Sequence, residues 1–445
     1  MRVEDKKSMA DKTYTIWTIG CQMNEADSRN LASHLELLGY REVEQPEQAD
    51  VVVLNTCVVR QQAENKIYGR LGSLKKLKQQ RPDMVIALMG CLVGVKDNPE
   101  LRRRFGFVDV FVPPSAVNVL VNYLLTREDL TLDEQAPVYD LPETRRSEIT
   151  AFVPAVLGCS HACAYCVIPS RRGREFSRPA DDILREVREL TRQGIREVML
   201  LGQIVDRYGL DLPEGPDLAG LLRQVVDEVP ELYRVRFLTS HPNWITDSLL
   251  DTVVQVEPIC PQLEIAVQAG NDEVLRRMKR GYTVEKFLRL VERVREKIPD
   301  AAIHTDVIVA FPGETEAQFE DTVKLLREVR FDKVHIAKYS ERPGTYAAEN
   351  MADDIAPAEK ERRRKILEDL QKQIQTETNR TYLGRTVEVL VEGRNKGRWQ
   401  GRTPQNKIVF FEGGENLTGS LVPVRLEWTG PFSLIGSRVE AADYN

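Results

Sequence analysis

Short apolar runs alternate with longer amphipathic stretches through most of the chain, and this alternation narrows the fold more than any other feature. In the first part TYTIWTI, DVVVLN, MVIALM and DVFV read as strands, with EADSRNLASHLELLG and ENKIYGRLGSLKKLKQQ as helices between them. Strands alternating with helices imply a parallel sheet covered by helices. That predicts an α/β domain over residues 12–128. Residues 129–148 are polar and contain proline, and read as a linker. From 149 the alternation resumes in FVPAVL, EVMLL, RVRFL, LEIAV, AIHTDVIVA and KVHIAKY, separated by helical stretches such as DDILREVRELTRQG and VEKFLRLVERVREKI. Six such units predict a partial β/α barrel. With the trailing helix PAEKERRRKILEDLQKQIQTETNR this domain covers 149–378. The pattern then turns purely β: TVEVLV, RWQGRT, KIVFF, LVPVRLEW and SLIGSRV suit a small all-β barrel over 381–441.

Composition excludes little beyond this. The 445 residues are 42% hydrophobic and 29% charged, as in an ordinary soluble protein. No apolar run is long enough to span a bilayer, and MRVEDKKSMADK is no signal peptide. The expectation is a cytoplasmic monomer with no membrane partner. In that compartment disulfides are rare and clustered cysteines bind metal or do redox work.

Seven cysteines are present. Cys21, Cys57 and Cys91 each follow a predicted strand, although 36 and 34 residues separate them. Strand C-termini of a parallel sheet lie along one edge, where ligands bind. Three thiols there can converge on one site, and Gly20 and Gly90 permit close approach. Cys159, Cys163 and Cys166 form a C-x3-C-x2-C run in CSHACAYC. One reading is zinc, with His161 or a distant residue as fourth ligand. The other is a four-iron cluster held by three thiolates, with one iron open to a small molecule. Cys260 precedes Pro261 and reads as a packed thiol.

C-x3-C-x-aromatic-C, with Tyr165 as the aromatic, resembles the signature of the radical S-adenosylmethionine (SAM) superfamily. TIGCQMNEADS, NTCVVRQQAENK, GRLGSLKKLK and MGC resemble the methylthiotransferase family. So do GCSHACAYCVIPSRRGREFSRP, LLGQIVDRYG, FLTSHP, VQAGNDEVLRRMKRGYT, DVIVAFPGETEAQFEDT and YSERPGT. GRWQGRTPQNKIVFF is similar to the TRAM RNA-binding module. The resemblance implies two [4Fe-4S] clusters, an auxiliary one on Cys21, Cys57 and Cys91 and a SAM-binding one on Cys159, Cys163 and Cys166. It implies a radical enzyme that puts a methylthio group on C2 of an adenosine next to a tRNA anticodon. GCQMNEADS points to the branch acting on N(6)-(dimethylallyl)adenosine, over those acting on threonylcarbamoyladenosine or on a ribosomal protein. A non-catalytic iron–sulfur RNA-binding sensor is the alternative from another class. Partners implied are tRNA, an electron donor such as a flavodoxin or ferredoxin, and a donor of sulfur or iron–sulfur clusters.

By the same resemblance Tyr165, Gly202, Gln203, Ser240 and Gln268 line the SAM pocket. Three residues depart from the family pattern: Glu264 and Ala266 in LEIAVQ, and Ile204 after LGQ. Net charge is −6, which argues against nucleic acid, but local charge argues for it. Arg171, Arg172 and Arg174 follow the second thiol run. Arg398, Arg402 and Lys407 lie in an acid-free stretch with Trp399 among them. Cations interleaved with an aromatic on a small barrel suit loop RNA, and these seven residues are the expected RNA contacts.

Overall fold

The structure is a computed structural model that describes residues 12–58, 61–128 and 149–439. The stretch 129–148, read as a linker, lies outside the described residues. The chain forms two compact units. One comprises Met1–Arg146, Phe152–His161 and Val167–Gln193, the other Ser147–Ala151, Ala162–Cys166 and Gly194–Asn445.

The first unit is built on a parallel sheet. Its strands are β1 (Thr13–Ile19), β2 (Arg41–Glu42), β3 (Val51–Thr56), β4 (Val85–Gly90) and β5 (Val110–Val112), in the order β2-β1-β3-β4-β5. Helices α1 (Gln22–Leu37), α2 (Gln61–Gln80), α3 (Pro99–Arg104) and α4 (Asn118–Arg127) alternate with them. β3 and β4 are buried along their whole length, as continuous apolar runs in a parallel sheet must be. One core gathers Leu31, Leu35, Leu120 and Leu124 over Val53 and Ala87; another gathers Ile67, Leu71, Leu74 and Phe105 over Leu54 and Leu88. Strands β1, β3, β4 and β5 and helices α1 and α2 follow the sequence expectation. The edge strand β2 and helices α3 and α4 do not appear in it. α3 is announced by Asn98, whose side chain accepts the Leu101 N–H, followed by Pro99.

Six strands carry the central segments: β6 (Thr150–Pro154), β9 (Glu197–Leu201), β10 (Arg234–Leu238), β11 (Gln262–Glu264), β12 (Ala302–Val309) and β13 (Lys333–Lys338). Short strands β7 (Val156–Leu157) and β8 (Phe176–Ser177) follow β6, with helix α5 (Ile168–Arg172) between them. In the second unit β10 pairs in parallel with β9, and β12 with both β11 and β13. Single bridges at Val235–Ile259 and Ser240–Ile265 join the two groups. The strands thus form the expected partial β/α barrel. The long helix at Pro357–Arg380 packs back on it: Arg363 pairs with buried Glu314 at 3.0 Å, and Gln371 donates to the Phe331 carbonyl at 2.9 Å.

The last strands, β14 (Thr386–Asn395), β15 (Arg398–Arg402), β16 (Ile408–Phe411), β17 (Leu421–Thr429) and β18 (Leu434–Arg438), close into a barrel. Val389, Val391, Trp399, Phe411 and Leu426 fill it. The β15–β16 turn is fastened to the central strands. Arg236 donates to the Pro404 carbonyl at 2.6 Å and to the Thr403 carbonyl at 2.9 Å. Arg234 reaches the Glu388 carbonyl at 3.2 Å, and Lys407 pairs with Asp332 at 2.6 Å. No helix among the described residues is long and apolar enough to cross a membrane.

Candidate cluster and cofactor sites

The first three thiols stand on adjacent strands. Ile19 pairs with Thr56, and Thr56 with Gly90. Cys57 and Cys91 therefore leave the sheet at one level, and Cys21 lies one residue beyond it. Neighbouring strands are about 4.8 Å apart, so the three thiols share one stretch of sheet edge. Two features hold this edge together. The buried Asn24 side chain donates to Asn55 Oδ1 at 2.8 Å and to the Thr56 carbonyl at 3.0 Å, tying the start of α1 to the end of β3. A Cβ on Gly90, at φ 96°, would lie 2.5 Å from the Thr56 carbonyl oxygen, so only glycine lets β4 turn there and bring Cys91 N–H onto that same oxygen.

Cys91 has a charged neighbour. Arg172 Nε lies 3.2 Å from its sulfur, and the two side chains are buried together. Burial pushes the Cys91 thiol up; Arg172 pulls it back toward thiolate, and Cys21 adds to the rise. Such a cation favours the deprotonated sulfur that metal ligation requires.

In the second run Cys166 N–H donates to the Cys163 carbonyl at 3.1 Å, closing a tight turn. Cys159 N–H donates to the Gly173 carbonyl at 3.1 Å. Cys163 also has an arginine: Arg280 Nη1 is 3.2 Å from its sulfur, while Nη2 donates to the Ala266 carbonyl at 2.8 Å. Arg280 is 5% exposed. The sequence reading missed it; its only trace is the cationic KRGYT stretch. Among the described residues no three His, Cys, Asp or Glu side chains gather around one ion-sized point.

Of the predicted SAM residues, Gly202, Gln203, Ser240 and Gln268 sit near barrel strand ends, and Tyr165 lies in the loop of the second thiol run. Gly202 and Gln203 follow β9. A Cβ on Gly202 would lie 2.8 Å from Val205 Cα, so this turn too requires glycine. Ser240 follows β10 and is 2% exposed. Gln268 has φ 73°, a strained left-handed conformation for a side-chain-bearing residue. It is held there because its N–H donates to the Asp306 carbonyl at 2.8 Å and its own carbonyl accepts from Ile308 at 3.0 Å. Tyr165 packs edge-on against Phe311, with ring centroids 6.4 Å apart. Ser240 Oγ and Gln268 Oε1 are buried with no protein partner. Buried polar atoms are rarely left so, and two of them facing strand ends fit a polar ligand such as SAM.

The residues that depart from the family pattern are placed as follows. Ile204 is buried. Ala266 supplies the carbonyl that Arg280 uses. Glu264 accepts from Thr239 Oγ1 at 3.2 Å, and burial, with Asp306 nearby, pushes its carboxyl up to about 7.

The expected RNA contacts divide. Arg172 is buried at a thiol, and Lys407 is buried against Asp332. Trp399 is 4% exposed and donates its indole N–H to the Gly413 carbonyl at 3.1 Å, a core position with no ring face for a base. Arg402 is half-buried and held by Glu392 at 2.7 Å, and Arg171 is half-buried too. Arg174 and Arg398 are exposed, the latter with Glu412 at 3.7 Å. The small barrel does expose two other aromatics, Trp428 at 50% and Phe432 at 68%. The sequence offered only EWTGPF as a sign of them.

Residues 13–113 match the family described as Uncharacterized protein family UPF0004, 153–326 the radical SAM superfamily, and 380–439 the TRAM domain. The tRNA-2-methylthio-N(6)-dimethylallyladenosine synthase of Chloroflexus aurantiacus is 48% identical over 98% of this chain and 93% of that protein. The chain belongs to this synthase family. The synthase of Roseiflexus sp. is 47% identical over 96% of this chain and 89% of its own length. Among solved structures the radical SAM methyltransferase TsrM of Kitasatospora setae, with a [4Fe-4S] cluster bound, superposes with a TM-score of 0.56, covering 76% of this chain and 77% of that one. At 14% identity that likeness is one of fold. As a member of the radical SAM superfamily the chain works with an iron–sulfur cluster and SAM.

Proposed function

We propose that the chain adds a methylthio group to C2 of N(6)-(dimethylallyl)adenosine at position 37 of tRNA, with one [4Fe-4S] cluster on each thiol triplet. The observation that carries this reading is the pair of open triplets. Cys21, Cys57 and Cys91 sit at adjacent strand ends, Cys159, Cys163 and Cys166 in one short run, and each set has a buried arginine 3.2 Å from a sulfur. When bound, the second cluster with SAM supplies a 5′-deoxyadenosyl radical able to take the C2 hydrogen, and the first supplies sulfur for a methyl group from a second SAM. The protein's part is to position and enclose. Arg172 favours thiolate at Cys91, and Arg280 sets a positive charge 3.2 Å from the Cys163 sulfur. Ser240 and Gln268 offer polar atoms to SAM, and the Gly202 turn admits it closely. Tyr165 packs beside that pocket.

The target base has to leave its stack to be reached. Arg174 and Arg398 supply exposed cations for phosphates. Trp428 and Phe432 offer stacking faces that Trp399 does not. A flavodoxin or ferredoxin supplies electrons, and a sulfur or iron–sulfur donor protein renews the first cluster.

Replacing Cys21, Cys57 and Cys91 with Ala tests the division of labour. With a strong reductant this variant should still form 5′-deoxyadenosine and make no methylthioadenosine, as read by mass spectrometry of tRNA nucleosides. The variant lacking thiols at 159, 163 and 166 should lose both. Methylthio product from the first variant, or SAM cleavage by the second, refutes the assignment.

A further inference from the structure

The segment Arg171–Arg174 does something its charge does not announce. Arg172 ends α5 with its side chain 2% exposed. Its Nε reaches Cys91 Sγ at 3.2 Å, and both terminal nitrogens lie 3.4 Å from Asp27 Oδ2. Asp27 is itself held by the Ser115 hydroxyl at 2.8 Å, from a backbone at φ 59°. The next residue, Gly173, gives its carbonyl to Cys159 N–H at 3.1 Å. On the other flank the Arg171 carbonyl accepts from Val95 N–H at 3.0 Å, four residues past Cys91. Contact with the Cys159 loop is equally close. A Cβ on Gly158 would lie 2.2 Å from the Arg174 carbonyl oxygen and 2.8 Å from that of Gly173. Consecutive residues are thus wedged between the loop that carries Cys91 and the loop that carries Cys159.

Packing alone does not call for an arginine here. A buried guanidinium is costly unless its charge and its donors are met. Asp27 meets one side of the fork, and the sulfur of Cys91 meets the other. The rigid planar fork can serve both partners at once, which the point charge of a lysine cannot.

We propose that Arg172 and Gly173 form a strut that holds Cys91 and Cys159, one thiol of each triplet, in one frame, with Arg172 as the positioning and charge-setting partner of the first cluster. The inference rests on the two-cluster reading above. Hydrogen bonds to ligand sulfurs and nearby charge set a cluster's reduction potential. A cation favours the reduced, more negative state, so removing it lowers the midpoint. Removing the Asp27 carboxylate leaves the cation uncompensated and raises it.

The test is a redox titration, followed by electron paramagnetic resonance, of the anaerobically reconstituted full chain and its R172M, R172K and D27N variants. Two waves are expected in the wild type. The variant lacking the thiols at 159, 163 and 166 keeps only the wave of the first cluster and so identifies it. That first-cluster wave should shift to lower potential in R172M, by less in R172K, and to higher potential in D27N. Opposite shifts from two partners of one ion pair would not arise from a merely structural role. D27N and R172K keep the test open if R172M fails to fold. A first-cluster wave unmoved in both of these overturns the strut. A wild type with only one wave overturns the two-cluster reading instead.

Discussion

Glu264 shows how a single side chain can set pH behaviour. Burial first, and Asp306 second, raise its carboxyl to about 7, against a Thr239 hydrogen bond and Lys333 that pull it back. Its folded pKa therefore stands above its unfolded one. The stability it contributes is complete below the unfolded value of about 4.3 and is lost as pH rises through 7. Glu264→Gln should leave the denaturation midpoint nearly unchanged at pH 4 and stabilise the protein by about 2 kcal/mol at pH 8, allowing for screening at a half-buried site. Equal effects at both pH values would show that the carboxyl is not held protonated. At this scale the placement of Cys21, Cys57 and Cys91 at adjacent strand ends was legible, because each follows an apolar run that the sequence displays. Arg172, Lys407 and Trp399 were not. Charge and aromaticity are written in the sequence, but whether an arginine faces water or a thiol depends on Asp27, 145 residues away along the chain. Arg280 was overlooked for the same reason.

Elements were easier to read than their joints. Apolar runs such as VVVLNT and VIALMG are strands because they are buried on both faces. The trailing helix emerged as Pro357–Arg380, as its pattern of charged and apolar residues suggested. What periodicity could not show was short or set by context: the two-residue edge strand β2, the capped helix α3, and the wedge beside Gly158. That glycine has φ 67°, and its missing side chain leaves room for the carbonyls of 173 and 174. Gly158→Ala should force the two loops apart. We expect it to lose the iron of the second cluster before it loses global fold, seen as an iron content roughly halved with far-ultraviolet circular dichroism preserved. Full iron loading in this variant would show that the close approach can relax at no cost.

The whole molecule is acidic, and its cations are nevertheless placed with care. Five of the seven arginines, lysines and aromatics expected to meet RNA are buried or half-buried, so RNA recognition has to be tested at the exposed residues. Substituting Arg398→Ala and Phe432→Ser together should weaken tRNA binding, lower the slope of log affinity against log salt by about one, and leave the unfolding midpoint in place. An unchanged affinity at every salt concentration would remove Arg398 and Phe432 from recognition. Deleting residues 381–445 is a poorer experiment, since it removes carbonyls that receive buried Arg234 and Arg236 together with any RNA contact.

That fastening also bears on how the protein is made. The ribosome releases β10, with Arg234 and Arg236, well before it adds the turn whose carbonyls will receive them. Domains tend to fold as they emerge, yet this central barrel stays incomplete at one end until Thr403, Pro404 and Lys407 leave the exit tunnel. A nascent chain stalled in the trailing helix would still lack the carbonyls of Thr403 and Pro404 for Arg236, the carbonyl of Glu388 for Arg234, and the ammonium of Lys407 for Asp332.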